Sequence, residues 1–86
     1  MQDLYTTNSL ALASYLNCVR EIRFTGVDKS DPNRILFCYE PRMEAQEAAD
    51  RYFSNDVLVN PQELFQHHGT LKDLVFEVRR NSNQMR

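Results

Sequence analysis

Between Val59 and Leu64 the chain carries a helix start that fixes how its last third must fold. Asn60 is a favoured N-cap, Pro61 falls at the first helical position where its missing N–H costs nothing, and Glu63 can reach back to the cap backbone. Val59 and Leu64 stand where a hydrophobic staple would form across the cap. From there to Arg80 the pattern is helical. Leu64, His68, Leu71, Leu74, Val75 and Val78 fall on one stripe, while Phe65, Lys72 and Phe76 project from a second flank. Gly69, mid-helix, costs about 1 kcal/mol relative to Ala and predicts a kink or a close helix contact.

The upstream chain supplies what this helix packs on. Asp3-Leu4-Tyr5-Thr6-Thr7 is short and β-favouring, which suits an edge strand, and Thr7 or Asn8 can cap a helix over Ser9–Val19 with Leu12, Tyr15, Leu16 and Val19 on one face. Glu21–Thr25 alternates strictly, placing Ile22 and Phe24 on one side of a strand. Gly26 interrupts it as a bulge would. Lys29–Asn33 is a turn cluster, and the returning strand, Arg34–Glu40, is apolar on both faces over Ile35–Tyr39, as expected of a central strand covered on at least one side by helices. Pro41 ends it. A second helix, Arg42–Phe53, buries Ala45, Ala48, Ala49, Tyr52 and Phe53, and Asn55 is a natural left-handed stop. Residues 56–59 suit a further short strand. The sequence therefore predicts an α+β fold, a small antiparallel sheet with a central hairpin packed with three helices, over residues 1–80, with residues 81–86 as a flexible polar tail.

Eighty-six residues leave room for one core, and a small one. The formal charge of −2 weighs against a protein devoted to nucleic acid. The middle of the chain is acidic and its C-terminus mildly basic, a distribution that solvated helix faces explain. Cys18 and Cys38 follow no recognisable signal peptide, and no apolar run is long enough for a membrane span; the expectation is a cytoplasmic chain with reduced thiols and no membrane association.

No chemical signature stands out. His67 and His68 are adjacent, so on a regular helix their rings diverge by about 100° and cannot share one metal ion. Cys18, Cys38 and a histidine match no zinc-finger or ribbon spacing. Cys38 with His68 is the one nucleophile–base pair that can be drawn, and it lacks an orienting third group. Glu44 and Glu47 share a helix flank as solvated acids commonly do, and Gly26 and Gly69 stand too far apart for a phosphate loop. The expectation is no catalysis, no metal and no cofactor, with the histidines and cysteines in packing roles.

Interaction surfaces remain. Phe65, Lys72, Phe76 and Arg79 offer aromatic and cationic anchors on one helix flank, with Tyr5, Tyr15, Tyr39 and Tyr52 as further candidates, for a larger protein partner or for self-association. The alternative is nucleic acid, contacted through Arg34, Arg79, Arg80 and Arg86.

The order of these signals resembles a family of short domains of unknown function found in bacteria, their phages and mobile elements. The residues that carry the resemblance are Tyr5-Thr6-Thr7, the hairpin, Arg51-Tyr52-Phe53-Ser54-Asn55, Val59-Asn60-Pro61, Phe65 and Leu71-Lys72. The shared pattern is an aromatic pair, a short strand and a capped final helix; Cys18 and the histidine pair stand outside it. The resemblance implies a non-enzymatic phage or mobile-element protein that occupies a surface on a larger host protein, such as a CRISPR effector.

Overall fold

The order of elements is β1 (Tyr5–Thr7), α1 (Leu10–Leu16), β2 (Arg23–Asp31), β3 (Arg34–Glu40), α2 (Arg42–Phe53) and α3 (Pro61–Gln84), in a computed structural model that describes residues 3–31 and 33–84, the last four as backbone. Pro32, within the turn cluster, and Arg86 lie outside the described residues. The three strands form one antiparallel sheet in the order β1-β3-β2, so the apolar strand is central and Tyr5–Thr7 is an edge. With the helices this is the expected α+β architecture.

Side chains alternate along β3, and the two faces differ. Phe37 and Tyr39 point into the core, where Phe24 packs its ring 5.4 Å from that of Tyr39, and the Tyr39 hydroxyl donates to the Ala13 carbonyl of α1 at 2.9 Å. That bond satisfies a fully buried polar group at the centre of the domain, and burial pushes the phenol pKa far up. Leu36, Cys38 and Glu40 occupy the opposite face. Two of the tyrosines considered as anchors, Tyr15 and Tyr39, are thus core residues.

The hairpin is longer than its sequence suggests. β2 continues through Lys29 and Ser30 to Asp31, and the Asp31 carboxylate accepts the Asn33 N–H at 2.9 Å to close the turn. The register slips between Phe24 and Gly26, where the bulge was expected, and Gly26 has φ +138°, a conformation open to glycine and costly for other residues.

Capping explains the helix ends. Ser9, one residue later than expected, caps α1 by accepting the Leu12 N–H at 3.1 Å, while Thr7 accepts the Ser9 N–H. The helix stops at Leu16 rather than Val19 because Cys18 and Val19 bond three residues back, to Tyr15 and Leu16, which tightens the chain into a turn. α2 begins after Pro41 and lays Ala45, Ala48 and Ala49 flat against the core, their small side chains allowing a close approach. Phe53, expected inside, is exposed: it sits at the edge of the alanine stripe in the last turn, with its ring edge-on to Tyr52 at 5.4 Å. Asn55 stops the helix with φ 60°. Residues 56–60 form no strand. Val57 and Val59 turn inward and Leu58 outward, but the segment pairs with no neighbouring strand and serves as an extended connector.

α3 starts as its cap predicts, with the Asn60 side-chain oxygen Oδ1 accepting the N–H of Gln62 and Glu63 at 2.8 and 3.2 Å. Its main packing partner is α1. Leu71 is fully buried, and Leu64, Leu74 and Val75 pack against the core around it. A side chain at Gly69 would meet nothing within 4 Å, so no close helix contact requires the glycine. The helical backbone runs on to Gln84, into the stretch read as a tail, because the chain offers no Gly or Pro to stop it.

Candidate functional site

Two flanks of α3 carry its unusual side chains. With about 100° between successive residues, Phe65, Lys72, Phe76 and Arg79 fall within an arc of about 60° and span about 21 Å of helix. All four are exposed. Phe65 and Phe76 keep 74% and 68% of their surface in solvent, so neither belongs to the core. Beside Phe65 lies a shallow apolar depression of about 140 Å³ between α1, the end of α2 and α3, lined by Ala11, Ser14, Tyr52, Leu64, Phe65 and His68. On one side it is bounded by Tyr52, whose ring stacks on that of Tyr15 at 5.6 Å, and on another by α1, where the Ser14 hydroxyl is turned away to the Leu10 carbonyl at 2.7 Å. The depression therefore presents carbon rather than hydrogen-bonding groups.

The opposite flank holds a grouping the sequence did not announce. Glu63 and His67 are one turn apart on α3, and the turn after α1 brings Cys18 to them; the Cys18 sulfur, a Glu63 carboxylate oxygen and a His67 ring nitrogen all lie within 4.8 Å of one another. Glu63 was expected to complete a capping box. Among the described residues its carboxylate makes no such bond to the Asn60 N–H and faces Cys18 instead, while the Asn60 side chain accepts the N–H groups of Gln62 and Glu63. Burial, followed by the Glu63 charge, pushes the Cys18 thiol above its ordinary pKa, and the thiol contacts the Ser14 carbonyl at 3.5 Å. Next to it in the chain, the buried Asn17 side-chain oxygen has no hydrogen-bond partner among the described residues. The signal that could have found the site is the Glu63/His67 spacing of four, which places two ligand-type side chains on one helix face; nothing in the sequence shows that Cys18 meets them.

Other expected combinations are not assembled. Cys38 lies on the sheet face away from the helices, near Asp28, whereas His68 faces α1 across the apolar depression, so strand β3 separates the two members of the drawn dyad. Both cysteines are free. Of the basic residues, Arg34 is at the hairpin tip while Arg79 and Arg80 ride on the distal part of α3, which packs chiefly on α1; Arg80 is paired with Glu77 at 3.5 Å. No helix among the described residues is long and apolar enough to cross a membrane.

The fold defines a small α+β domain whose final helix carries both of these flanks. Compared with family models, residues 2–77 match the family described as Domain of unknown function (DUF5659), and the chain belongs to that family. No curated protein and no solved structure matches it.

Proposed function

We propose that the chain is a non-enzymatic interaction module that docks α3 on a larger protein through Phe65, Lys72, Phe76 and Arg79. The observation that carries this reading is that two phenylalanines, three turns apart, stand in solvent on one flank, the first of them beside an apolar depression. Desolvating two exposed aromatic rings is a strong source of binding energy, and flanking cations fit them for a groove with an apolar floor and an acidic rim. The setting of a phage or mobile element rests on the resemblance alone, and it makes a host protein such as a CRISPR effector the first bait to try.

The Phe65→Ala, Phe76→Ala double variant should abolish complex formation, measured by calorimetry against a partner captured from the native host, while leaving the far-ultraviolet circular dichroism unchanged. Equal binding by both proteins refutes the reading. Sedimentation of the isolated chain distinguishes self-association: a dimer that the double variant dissociates would make a second copy the partner. Nucleic acid is the weaker alternative, because the Arg80 charge is already paired and Arg34 stands on a separate element; a steep salt dependence in a filter-binding titration would favour it.

A further inference from the structure

The geometry points to a zinc-binding site formed by Cys18, Glu63 and His67. Their ligand atoms lie within 4.8 Å of one another. Tetrahedral zinc, with bonds of about 2.0–2.3 Å, holds its ligand atoms roughly 3.5 Å apart, so closure asks each side chain to move by about 1 Å, within the reach of a rotamer adjustment. The exposed Glu63 carboxylate and half-buried His67 ring have that freedom. Glu63 and His67 are held in register by the Asn60 cap and by the buried Leu71 of the same helix, which packs against α1, and Cys18 by its turn bond to Tyr15 at 2.8 Å.

The donor set selects the metal. One thiolate, one imidazole and one carboxylate make a mixed S/N/O site that suits Zn²⁺, whereas Mg²⁺ and Ca²⁺ require oxygen ligands and Cu(I) prefers several sulfurs. Binding forms a Zn–S bond and releases the thiol proton to solvent; the thiolate and carboxylate then cancel the dication. A neutral site is what this surface tolerates, since the adjoining depression of about 360 Å³ is lined, besides Cys18 and Glu63, by Arg20, Arg51 and Glu21 and so already carries a small positive excess. Three protein ligands leave the fourth position to water or to a small anion drawn by those arginines. The bound ion ties the turn after α1 to the first turns of α3.

The test uses the full chain, stripped of metal and kept reduced with a phosphine. Titration with Co²⁺ should give one equivalent with a thiolate-to-cobalt charge-transfer band and the visible absorption of four-coordinate cobalt, displaced by Zn²⁺. Competition with a chromophoric zinc chelator should show Cys18→Ser, His67→Ala and Glu63→Gln each weakened by more than about tenfold, the loss that even residues behind the ligands produce. Cys38→Ser and His68→Ala should bind as the parent does. At a zinc concentration a hundred times the parent's dissociation constant, the thermal midpoint should rise by roughly 10–20 °C in the parent and by about half of that or less in Cys18→Ser. Glu63→Gln alters an exposed side chain, so its folding is assured by position and its loss of affinity reads the site itself. Absence of stoichiometric binding, or binding that survives Cys18→Ser and is lost with Cys38→Ser, overturns the assignment.

Discussion

Leu71 is the test of how α3 is docked. It is 1% exposed and, among the described residues, the only side chain of that helix that is fully buried. Truncating a buried leucine to alanine costs about 2–5 kcal/mol, the transfer of its lost carbons plus the cavity they leave. α1 is short and its own Leu12 and Leu16 are locked in the core, so the cavity has little room to collapse and the cost should be about 3 kcal/mol or more. A domain of this size has a total stability of about 4–13 kcal/mol, so the variant gives up a large share of it, with the midpoint of thermal unfolding falling by roughly 12–24 °C. Phe65→Ala is the matched control: it removes a larger side chain, but an exposed one, and should change stability by no more than about 0.5 kcal/mol. Urea unfolding followed by circular dichroism measures both, with an unchanged slope securing the comparison. A cost below about 1 kcal/mol for Leu71→Ala, or a larger cost for Phe65→Ala, would mean that α3 is rotated from its assigned face, and the interaction surface would fall with it.

Gly26→Ala should destabilise the hairpin by about 1 kcal/mol or more, although the added carbon meets nothing within 4 Å, because the strain lies in φ +138°; chemical denaturation measures it, and a neutral result would show that the bulge relaxes. The Asp28 carboxyl is held below its ordinary pKa by hydrogen bonds from the Ser30 hydroxyl at 2.6 Å and the Ser30 N–H at 3.0 Å. Because the folded value is the lower one, the contribution to stability is present above the ordinary carboxylate pKa and fades as pH falls through the folded value. Ser30→Ala should move the Asp28 titration back up, read by carboxyl carbon shifts in a pH series; an unmoved titration would remove the hydroxyl as the main cause.

What the sequence made legible was local. Asn60 and Pro61 marked the start of α3, Pro41 the end of β3, Asn55 the end of α2 and Gly26 the bulge, because each of these residues imposes its own backbone geometry. The apolar run Ile35–Tyr39 marked the central strand for the same kind of reason: few positions in a small domain can hide both faces. What the sequence could not show was which of several compatible neighbours each side chain meets. Residues 56–59 suit a short strand by composition, yet among the described residues they join no sheet. Phe53 matches the alanine stripe by spacing but misses it by position at the helix end. Glu63 fits a capping box and instead faces Cys18, since the meeting depends on how α1 and α3 cross, information that neither segment contains.

That crossing also decides how the two proposed sites relate. On a helix turning about 100° per residue, the direction of Leu71 toward α1 lies between them: Glu63 and His67 are turned to one side of it, Phe65 and Phe76 to the other, with roughly 160° between His67 and Phe65. Both sites thus depend on the same buried leucine while sharing no side chain. A partner seated on the aromatic flank leaves Cys18, Glu63 and His67 uncovered, and an ion bound there touches neither phenylalanine. It follows that Phe65→Ala should leave cobalt binding intact and Cys18→Ser should leave partner binding intact in metal-free protein, whereas Leu71→Ala should weaken both. A double variant of Phe65 and Cys18 that showed a cooperative loss in either assay would mean that the two flanks communicate through α3, against the separation that its geometry imposes.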